Sequence, residues 1–168
     1  MLRRPTRDRG YTLLELIVVI FIIGLISGVI LLRTGAMRFE RKASVYAQQL
    51  ESFLQVCQQQ AILQPAVIGI LFSADKYGAY YFQEGKQAQW IALAGKDNFW
   101  RAREIPNDIA LSITASVAFH AGVITPQIVI QPSGDLTPFS IDIGFAKEAP
   151  RYRLSGNNAG EIFLQDLK

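Results

Sequence analysis

The sequence contains little of the side-chain chemistry on which enzymes and metal proteins depend. Its 168 residues include one cysteine and one histidine. The single cysteine, Cys57, excludes an intramolecular disulfide and an all-cysteine metal site, and no residue near it in sequence would activate the thiol. We interpret His120 as a strand-end or core residue rather than a base. Because the sequence also lacks a Gly-rich phosphate loop and a metal-ligand cluster, we predict that the protein is not an enzyme and holds no cofactor and no metal.

Net charge is also missing from most of the chain. The formal charge is +3, but four of the 17 basic residues and one of the 14 acidic residues lie in the first ten positions. The remainder of the chain therefore has 13 residues of each sign. This balance argues against a nucleic-acid-binding surface, which needs a concentration of positive charge.

One long apolar run dominates the beginning of the sequence. Residues 16–32, LIVVIFIIGLISGVILL, contain no charged side chain. As an α-helix, residues 11–32 would measure about 33 Å, which is close to the roughly 30 Å hydrocarbon core of a bilayer. The run is longer than the apolar region of a secretory signal peptide and no small-residue cleavage site follows it. A buried helix of a soluble protein is seldom apolar on every face, so we predict a transmembrane segment over residues 11–32.

A single carboxylate, Glu15, stands at the start of this run. Thr12-x-x-Glu15 ahead of an apolar segment is a capping box, in which both side chains bond to amides at a helix start. A cut after Gly10 would instead place a new α-ammonium on Tyr11, one helical turn from Glu15 of the same or a neighbouring chain. Such an ion pair in a helix bundle would penalise misregistered neighbours. The residues alone leave both interpretations open.

The segment around this carboxylate resembles the N-terminus of type IV pilins, which the pseudopilins of type II secretion share. Residues 9–15, RGYTLLE, follow a basic leader and precede the uninterrupted apolar helix. The resemblance implies that an inner-membrane prepilin peptidase cleaves after Gly10 and methylates the new amine of Tyr11. It also implies that Glu15 helps to dock the subunit into a helical filament. Two departures are Tyr11 in place of the commoner Phe and Leu32 where major pilins usually carry a helix-kinking Pro.

Beyond the apolar run, apolar residues recur first at the spacing of a helix and then at every second position, as in strands. Apolar or small residues recur at three- and four-residue spacing from Phe39 to Leu63, which predicts an amphipathic helix that Pro65 ends. Alternating apolar and polar residues then predict strands at residues 67–73, 77–83, 89–94, 109–115, 127–131, 139–145, 152–155 and 161–164. One long helix followed by about seven or eight strands indicates an α+β fold, with an antiparallel sheet packed on the amphipathic half of the helix.

The strand region resembles the H-type minor pseudopilins of type II secretion. The motifs that carry this resemblance are Asp75-x-x-Gly78-x-Tyr80-x-Phe82, Trp90-x-x-Leu93, Phe99-Trp100-Arg101 and Ile128-x-Ile130-x-Pro132-x-Gly134. The resemblance implies three regions: a leader at 1–10, a long helix at 11–64 and a periplasmic β-rich domain at 65–168. It further implies a single-pass inner-membrane protein that joins the pseudopilus at or near its tip. The implied partners are other minor pseudopilins, the major pseudopilin, the prepilin peptidase and the inner-membrane assembly platform.

Two alternatives stay open beside this interpretation. The first is a minor pilin of a type IV pilus that serves pilus assembly or DNA uptake, although Arg101/Arg103 and Arg151/Arg153 are the only tight basic pairs beyond Pro65. The second is an unprocessed, membrane-anchored periplasmic domain in which Glu15 is only a helix cap.

Overall fold

The structure is a computed structural model of the chain, and it divides into two compact units, one up to Arg41 and one from Lys42 onward. The residues that it describes are 13–85, 88–93, 98–116 and 125–167, with only the backbone described for 29–40 and 98. One long helix, α1, contributes to both units. Helix α1 extends over Leu13–Leu63 and contains 51 residues.

The first unit contributes the beginning of α1 and no strand among its described residues. Leucine, isoleucine, valine and phenylalanine fill this part of the helix, and Glu15 lies in its first turn. Leucine favours helix, whereas the β-branched residues favour it less, so propensity alone is a modest cause of helicity here. An acidic side chain in the first turn also interacts favourably with the positive end of the helix dipole.

In the second unit, α1 buries one face of the helix. The buried residues recur every three or four positions, which is the spacing of one helical face. They are Ala43, Tyr46, Ala47, Leu50, Phe53, Leu54, Cys57 and Ala61. The predicted amphipathic stripe is therefore confirmed from Ala43 onward. The helix ends at Leu63, two residues before Pro65, and a backbone bond of 3.0 Å from Gln64 N–H to the Gln60 carbonyl closes its last turn.

Five strands form the first sheet, in which four follow the order β3–β2–β1–β6 and β4 pairs with β2. All pairings in it are antiparallel. The strands are β1 Ile68–Phe72, β2 Lys76–Gln83, β3 Gln89–Ala92, β4 Arg103–Glu104 and β6 Ile128–Ile130. Alternate residues of β1 and β2 face the helix, and Ile68, Ile70 and Tyr77 are almost fully buried there.

Four strands form the second sheet, in the order β5–β7–β8–β9, and these are also antiparallel. They are β5 Ile109–Ala115, β7 Phe139–Phe145, β8 Tyr152–Gly156 and β9 Ile162–Asp166. Ile141 and Leu154 lie opposite each other in the register and both are fully buried. The inward residues of the two sheets and the buried face of α1 together form one hydrophobic core.

The fold confirms the predicted α+β class and differs from the prediction in two points: the strands form two antiparallel sheets instead of one, and their number is larger. Nine strands lie within the described residues, against the seven or eight predicted. The additional strand, β4, has two residues, Arg103 and Glu104, and follows a short 3-10 helix at Asn98–Trp100. Two charged residues show no apolar alternation, so the pattern that reveals longer strands is missing here. Pairing of Arg103 with Tyr77 of β2 defines this strand instead.

Candidate assembly site

The predicted processing site lies outside the described residues, whereas the predicted assembly residue lies within them. Gly10 and Tyr11 precede the first described residue, Leu13. Glu15 is exposed and lies in the first turn of α1. No other charged residue occurs between it and residue 28. Glu15 is therefore the single ionisable group on the described part of this apolar stretch.

Apolar side chains are exposed on every side of the first part of α1. All twelve leucine, isoleucine, valine and phenylalanine side chains from Leu13 to Ile26 are between 46% and 77% exposed. Apolar patches of more than a few hundred Å² are rare on monomeric proteins and mark interaction or membrane sites. Burying one such side chain contributes about 1.5 to 3 kcal/mol. This surface therefore requires an apolar environment that the described part of its own unit does not supply.

Three small residues, Gly24, Ser27 and Gly28, interrupt this apolar surface. A Cβ added at Gly24 or Gly28 would meet no atom within 4 Å, and Ser27 between them is exposed. Small residues spaced in this way allow a second helix to approach closely. The described residues contain no helix with an apolar stretch long enough to cross a membrane. The predicted span, residues 11–32, includes positions outside that description, and it stays a prediction.

In the second unit, Gln58 joins the end of α1 to two turns of the β region. Its Nε2 donates hydrogen bonds to the carbonyl of Gly134, at 2.8 Å, and to the carbonyl of Gly160, at 2.7 Å. Gly134 has a φ of +92°, which a side chain would strain, and its N–H donates to the Gln131 carbonyl at 2.9 Å. This bond closes a tight turn over residues 131–134. Gln58 was not identified from the sequence, because it resembles its neighbouring glutamines.

Arg103 is a second structural residue that the sequence did not reveal. Its guanidinium carbon lies 5.0 Å from the ring centre of Phe53 and 4.7 Å from that of Phe99. Cation–π contacts of this kind contribute about 0.5 to 2 kcal/mol. The same guanidinium donates a hydrogen bond to the Tyr77 hydroxyl. Arg103 therefore connects strand β4, the short 3-10 helix and the buried face of α1.

Two ionisable groups lie inside the core on the buried face of α1. Burial raises the pKa of the Cys57 thiol to about 12, although the charge of Arg103 acts in the opposite direction. The thiolate that would react is therefore scarce at neutral pH, which agrees with the prediction that no neighbouring residue activates this thiol. Burial also raises the pKa of Tyr46, and the neighbouring Tyr77 adds to this effect. The Tyr46 hydroxyl is buried and has no hydrogen-bond partner among the described residues.

The arginines near the second sheet are paired with carboxylates. Arg153 donates from Nε and Nη2 to the two carboxylate oxygens of Asp142, at 2.6 and 2.9 Å. These bonds lower the pKa of Asp142. Arg151 lies 3.9 Å from Glu148. Arginines neutralised in this way attract phosphate weakly, so this surface gives no support to the nucleic-acid alternative.

Tyr77 and Trp90 are two large aromatic residues of the first sheet. Both are nearly buried, at 3% and 5% exposure, and Tyr77 belongs to the hydrophobic core. Trp90 lies on the outer face of the first sheet, where its ring packs 5.2 Å from that of Phe82. A Cβ at Gly69 would lie 2.7 Å from Trp90 and 2.5 Å from Pro126, so the absence of a side chain there permits this packing.

The described residues contain no group of three or more His, Cys, Asp or Glu side chains that could hold a metal ion. His120 lies outside those residues, so its predicted position stays a prediction. What the described residues do provide is a folded α+β region together with an apolar helix that carries one carboxylate in its first turn. This combination agrees with the class of pilin-like subunits that the sequence resembles, in which an apolar helix joins a folded domain.

Comparison with known proteins identifies the family. Residues 46–160 match the family described as type II transport protein GspH, and residues 5–31 match the prokaryotic N-terminal methylation motif. The GspH match covers more than half of the chain, and the chain belongs to this family. The resemblance to H-type minor pseudopilins that the sequence motifs indicated is confirmed.

Individual relatives and solved structures agree with this assignment. The chain is 26% identical to type II secretion system protein H of Aeromonas hydrophila, with 89% of this chain and 87% of the relative covered. It is 28% identical to type II secretion system protein H of Pseudomonas aeruginosa, with 87% of each covered. The fold is similar to that of the minor pseudopilin EpsH of Vibrio cholerae, with a TM-score of 0.60, 19% identity, and 74% of this chain and 95% of EpsH covered.

Proposed function

We propose that the protein is a minor pseudopilin, a structural subunit at or near the tip of a type II secretion pseudopilus. In this role it supports the export of folded proteins across the outer membrane. The observation that carries the proposal is the apolar surface of α1 from Leu13 to Ile26, whose large side chains are 46% to 77% exposed, with Glu15 in the first turn. A structural subunit needs such a surface to join its neighbours, whereas an enzyme would need a cluster of reactive groups.

The proposed site has a processing part and an assembly part. Prepilin peptidase cleaves after Gly10 and methylates the new amine of Tyr11, which removes the basic leader at 1–10. Residues 11–32 anchor the chain in the inner membrane before assembly and lie in the filament core afterwards. Glu15 then sets the register of the helix against its neighbours, because a carboxylate without a partner in an apolar bundle is costly.

The β-rich domain, residues 65–168, faces the periplasm in this proposal and provides the specificity of the subunit. Its partners are the major pseudopilin and the other minor pseudopilins, together with the assembly platform of the inner membrane. Membership of the GspH family and the methylation motif support this placement. The neutral balance of charge beyond the leader also supports a protein partner rather than nucleic acid.

Processing is tested by the N-terminal residue of the protein purified from its native membrane, using intact mass and terminal peptide sequencing. We expect a chain that begins at methylated Tyr11. A chain that retains residues 1–10 would contradict the processing step and leave Glu15 as a helix cap.

The assembly role of Glu15 is tested by secretion in cells that lack the chromosomal gene. Glu15→Gln removes the charge and keeps the shape, and we expect it to reduce secretion while the cleaved protein stays in the membrane. Glu51→Gln, on the half-buried edge of the same helix in the second unit, is the matched control. Equal secretion by wild type and Glu15→Gln would show that the carboxylate has no role in assembly.

A further inference from the structure

Strand β5 lies at an edge of the second sheet. Among the residues that the structure describes, it pairs with β7 and with no other strand. An edge strand presents backbone groups that can pair with another chain, and proteins commonly protect such edges with charged residues, proline or a bulge. The sequence of β5, IALSITA, contains no charged residue and no proline, and its register with β7 continues without a bulge over residues 109–115. This edge is therefore open to another strand.

Two backbone bonds show which residues of β5 face the open edge. The Ser116 N–H donates to the carbonyl of Pro138, which lies on the side of β7. Successive residues of a strand direct their backbone groups to opposite sides, so the even-numbered residues face β7 and the odd-numbered residues face the open edge. The Ile109 N–H already donates to the Pro106 carbonyl. The remaining residues whose N–H and C=O groups face the open edge are Leu111, Ile113 and Ala115.

The side chains of β5 alternate between the core and the outer surface of the sheet. Leu111, Ile113 and Ala115 pack against the core but are only half-buried. Ser112 and Thr114 lie on the outer surface and are exposed. A strand that matches this edge would therefore present apolar side chains on the core side and small polar side chains on the outer side.

A second copy of β5 meets both requirements. In an antiparallel pair of β5 strands centred on Ile113, this residue lies opposite its own copy and Leu111 lies opposite Ala115. Each of these pairs exchanges two N–H···O bonds, so all three residues that face the open edge are used. On the outer surface, Ser112 lies opposite Thr114, a hydroxyl pair of a kind that stabilises sheets. No like charges meet in this register.

The other edge of the same sheet, β9, is less suited to pairing with itself. The Leu167 N–H donates to the Arg151 carbonyl of the β8 side, so Ile162, Leu164 and Asp166 direct their backbone groups to the edge. A symmetric pair of β9 strands centred on Leu164 would place the carboxylate of Asp166 opposite Ile162. Isoleucine offers no group to bind a carboxylate that loses water. The composition that matches itself therefore belongs to β5.

We propose that β5 pairs antiparallel with β5 of a second copy of this chain, in the register centred on Ile113. The two four-stranded sheets then join into one continuous sheet. The interface is isologous, because each copy contributes the same strand, and it covers the half-buried Leu111 and Ile113 of both copies. This surface is separate from the apolar stretch of α1 that carries the proposed function, so the inference goes beyond that function.

Disulfides that form only in one register test this pairing. Two full-length variants, Ser112→Cys and Thr114→Cys, are produced in the same cells, and the membranes are treated with copper phenanthroline as the oxidant. In the proposed register these positions form a non-hydrogen-bonded pair with Cα atoms about 4.5 Å apart, which suits a disulfide. Two copies of Ser112 lie diagonally, about 7 to 8 Å apart. We expect about tenfold more disulfide-linked dimer from the mixture than from either variant alone.

Controls separate this register from random collision. Gln165→Cys, at an exposed position of β9, and the wild-type chain with its buried Cys57 should form little dimer. As much dimer from Ser112→Cys alone as from the mixture would overturn the register. A mixture that gives no more dimer than Gln165→Cys would overturn the pairing. Neither result would contradict the proposed function, which the N-terminal residue and Glu15→Gln test separately.

A charge exchange at the ends of the pairing gives a second measurement. In the same register Ala110 lies opposite Ser116, and both residues are exposed. Ala110→Glu combined with Ser116→Glu places like charges opposite each other and should reduce the mixed disulfide about fivefold or more. Ala110→Glu combined with Ser116→Lys places opposite charges there and should restore it. Thermal unfolding checks that both variants are folded, and equal disulfide yields from the two folded variants would exclude the pairing.

Discussion

The two parts of α1 differ in the exposure of the same kinds of apolar side chain. Leu25, in the first unit, is 56% exposed, whereas Leu50, in the second, is fully buried. The difference arises from what surrounds each part. In the second unit two β-sheets cover one face of the helix, and in the first unit the described residues include no second element. A single helix can therefore serve as a domain core in one part and as an intermolecular surface in the other.

This contrast explains the sequence patterns of the two parts. A helix that sheets cover on one face needs a continuous apolar stripe on that face, and residues 43–63 carry one, although Val45, Ile62 and Leu63 are exposed. A helix surrounded by lipid or by other helices needs apolar residues on every face, and residues 16–28 have no charged residue on any face. In the proposed function, the stretch without polar alternation is the part whose partners lie outside its own chain.

The largest effect should come from the same substitution at the two leucines. Leu50→Ala removes a buried side chain from the core and should lower the free energy of unfolding by about 2 to 5 kcal/mol. Leu25→Ala should leave it unchanged, because its side chain has no part in that core. Unfolding of the full chain in detergent micelles, followed by tryptophan fluorescence, measures both. Equal losses would mean that the first part of α1 also stabilises the folded domain.

Two neighbouring glutamines test the same contrast between the two faces of the second part. Gln58→Ala removes the donor to the carbonyls of Gly134 and Gly160, and it should cost about 1 to 3 kcal/mol. Gln59→Ala, on the exposed face, should change stability by less than about 0.5 kcal/mol. Urea denaturation of the two variants gives the difference. A stable Gln58→Ala protein would show that the two turns hold their positions without the helix.

Two tyrosines of the core differ in the hydrogen bonding of the hydroxyl group. Tyr46→Phe removes a buried hydroxyl without a described partner and should be neutral or stabilising by up to about 1 kcal/mol. Tyr77→Phe removes an acceptor of Arg103 and should destabilise. Thermal unfolding scans compare the pair. Destabilisation by Tyr46→Phe would reveal a partner for this hydroxyl beyond the described residues.

The smallest effect should come from an exposed ion pair of the second unit. Hydrogen bonds from Arg153 lower the pKa of Asp142 in the folded state, so the pair stabilises the fold above the ordinary carboxyl pKa of 3.8. That contribution should disappear as the pH falls through the lowered pKa. Asp142→Asn should therefore be slightly less stable than wild type at pH 6 and no less stable in acid. An Arg153→Gln background should abolish the difference, and its persistence there would assign it to another contact.

The sequence predicted the features that repeat over many residues. The stripe on α1 and most of the longer strands follow from regular spacing of apolar residues, which burial on one side imposes. It did not predict β4 or the role of Arg103, because a two-residue strand has no period and a cation–π contact joins residues distant in sequence. Gln58 was missed for a similar reason. Its two acceptors lie 76 and 102 residues further along the chain.

The sequence by itself determined the apolar segment with Glu15 at its start and the alternating strands that follow, since both are local patterns. It also carried the two family resemblances. Only the tertiary structure decided which side chains those patterns bury. The packing of two sheets on α1 placed Cys57 and Tyr46 inside the core and aligned Gln58 with two separate turns. Such positions depend on contacts between distant segments, and local periodicity contains no information about those contacts.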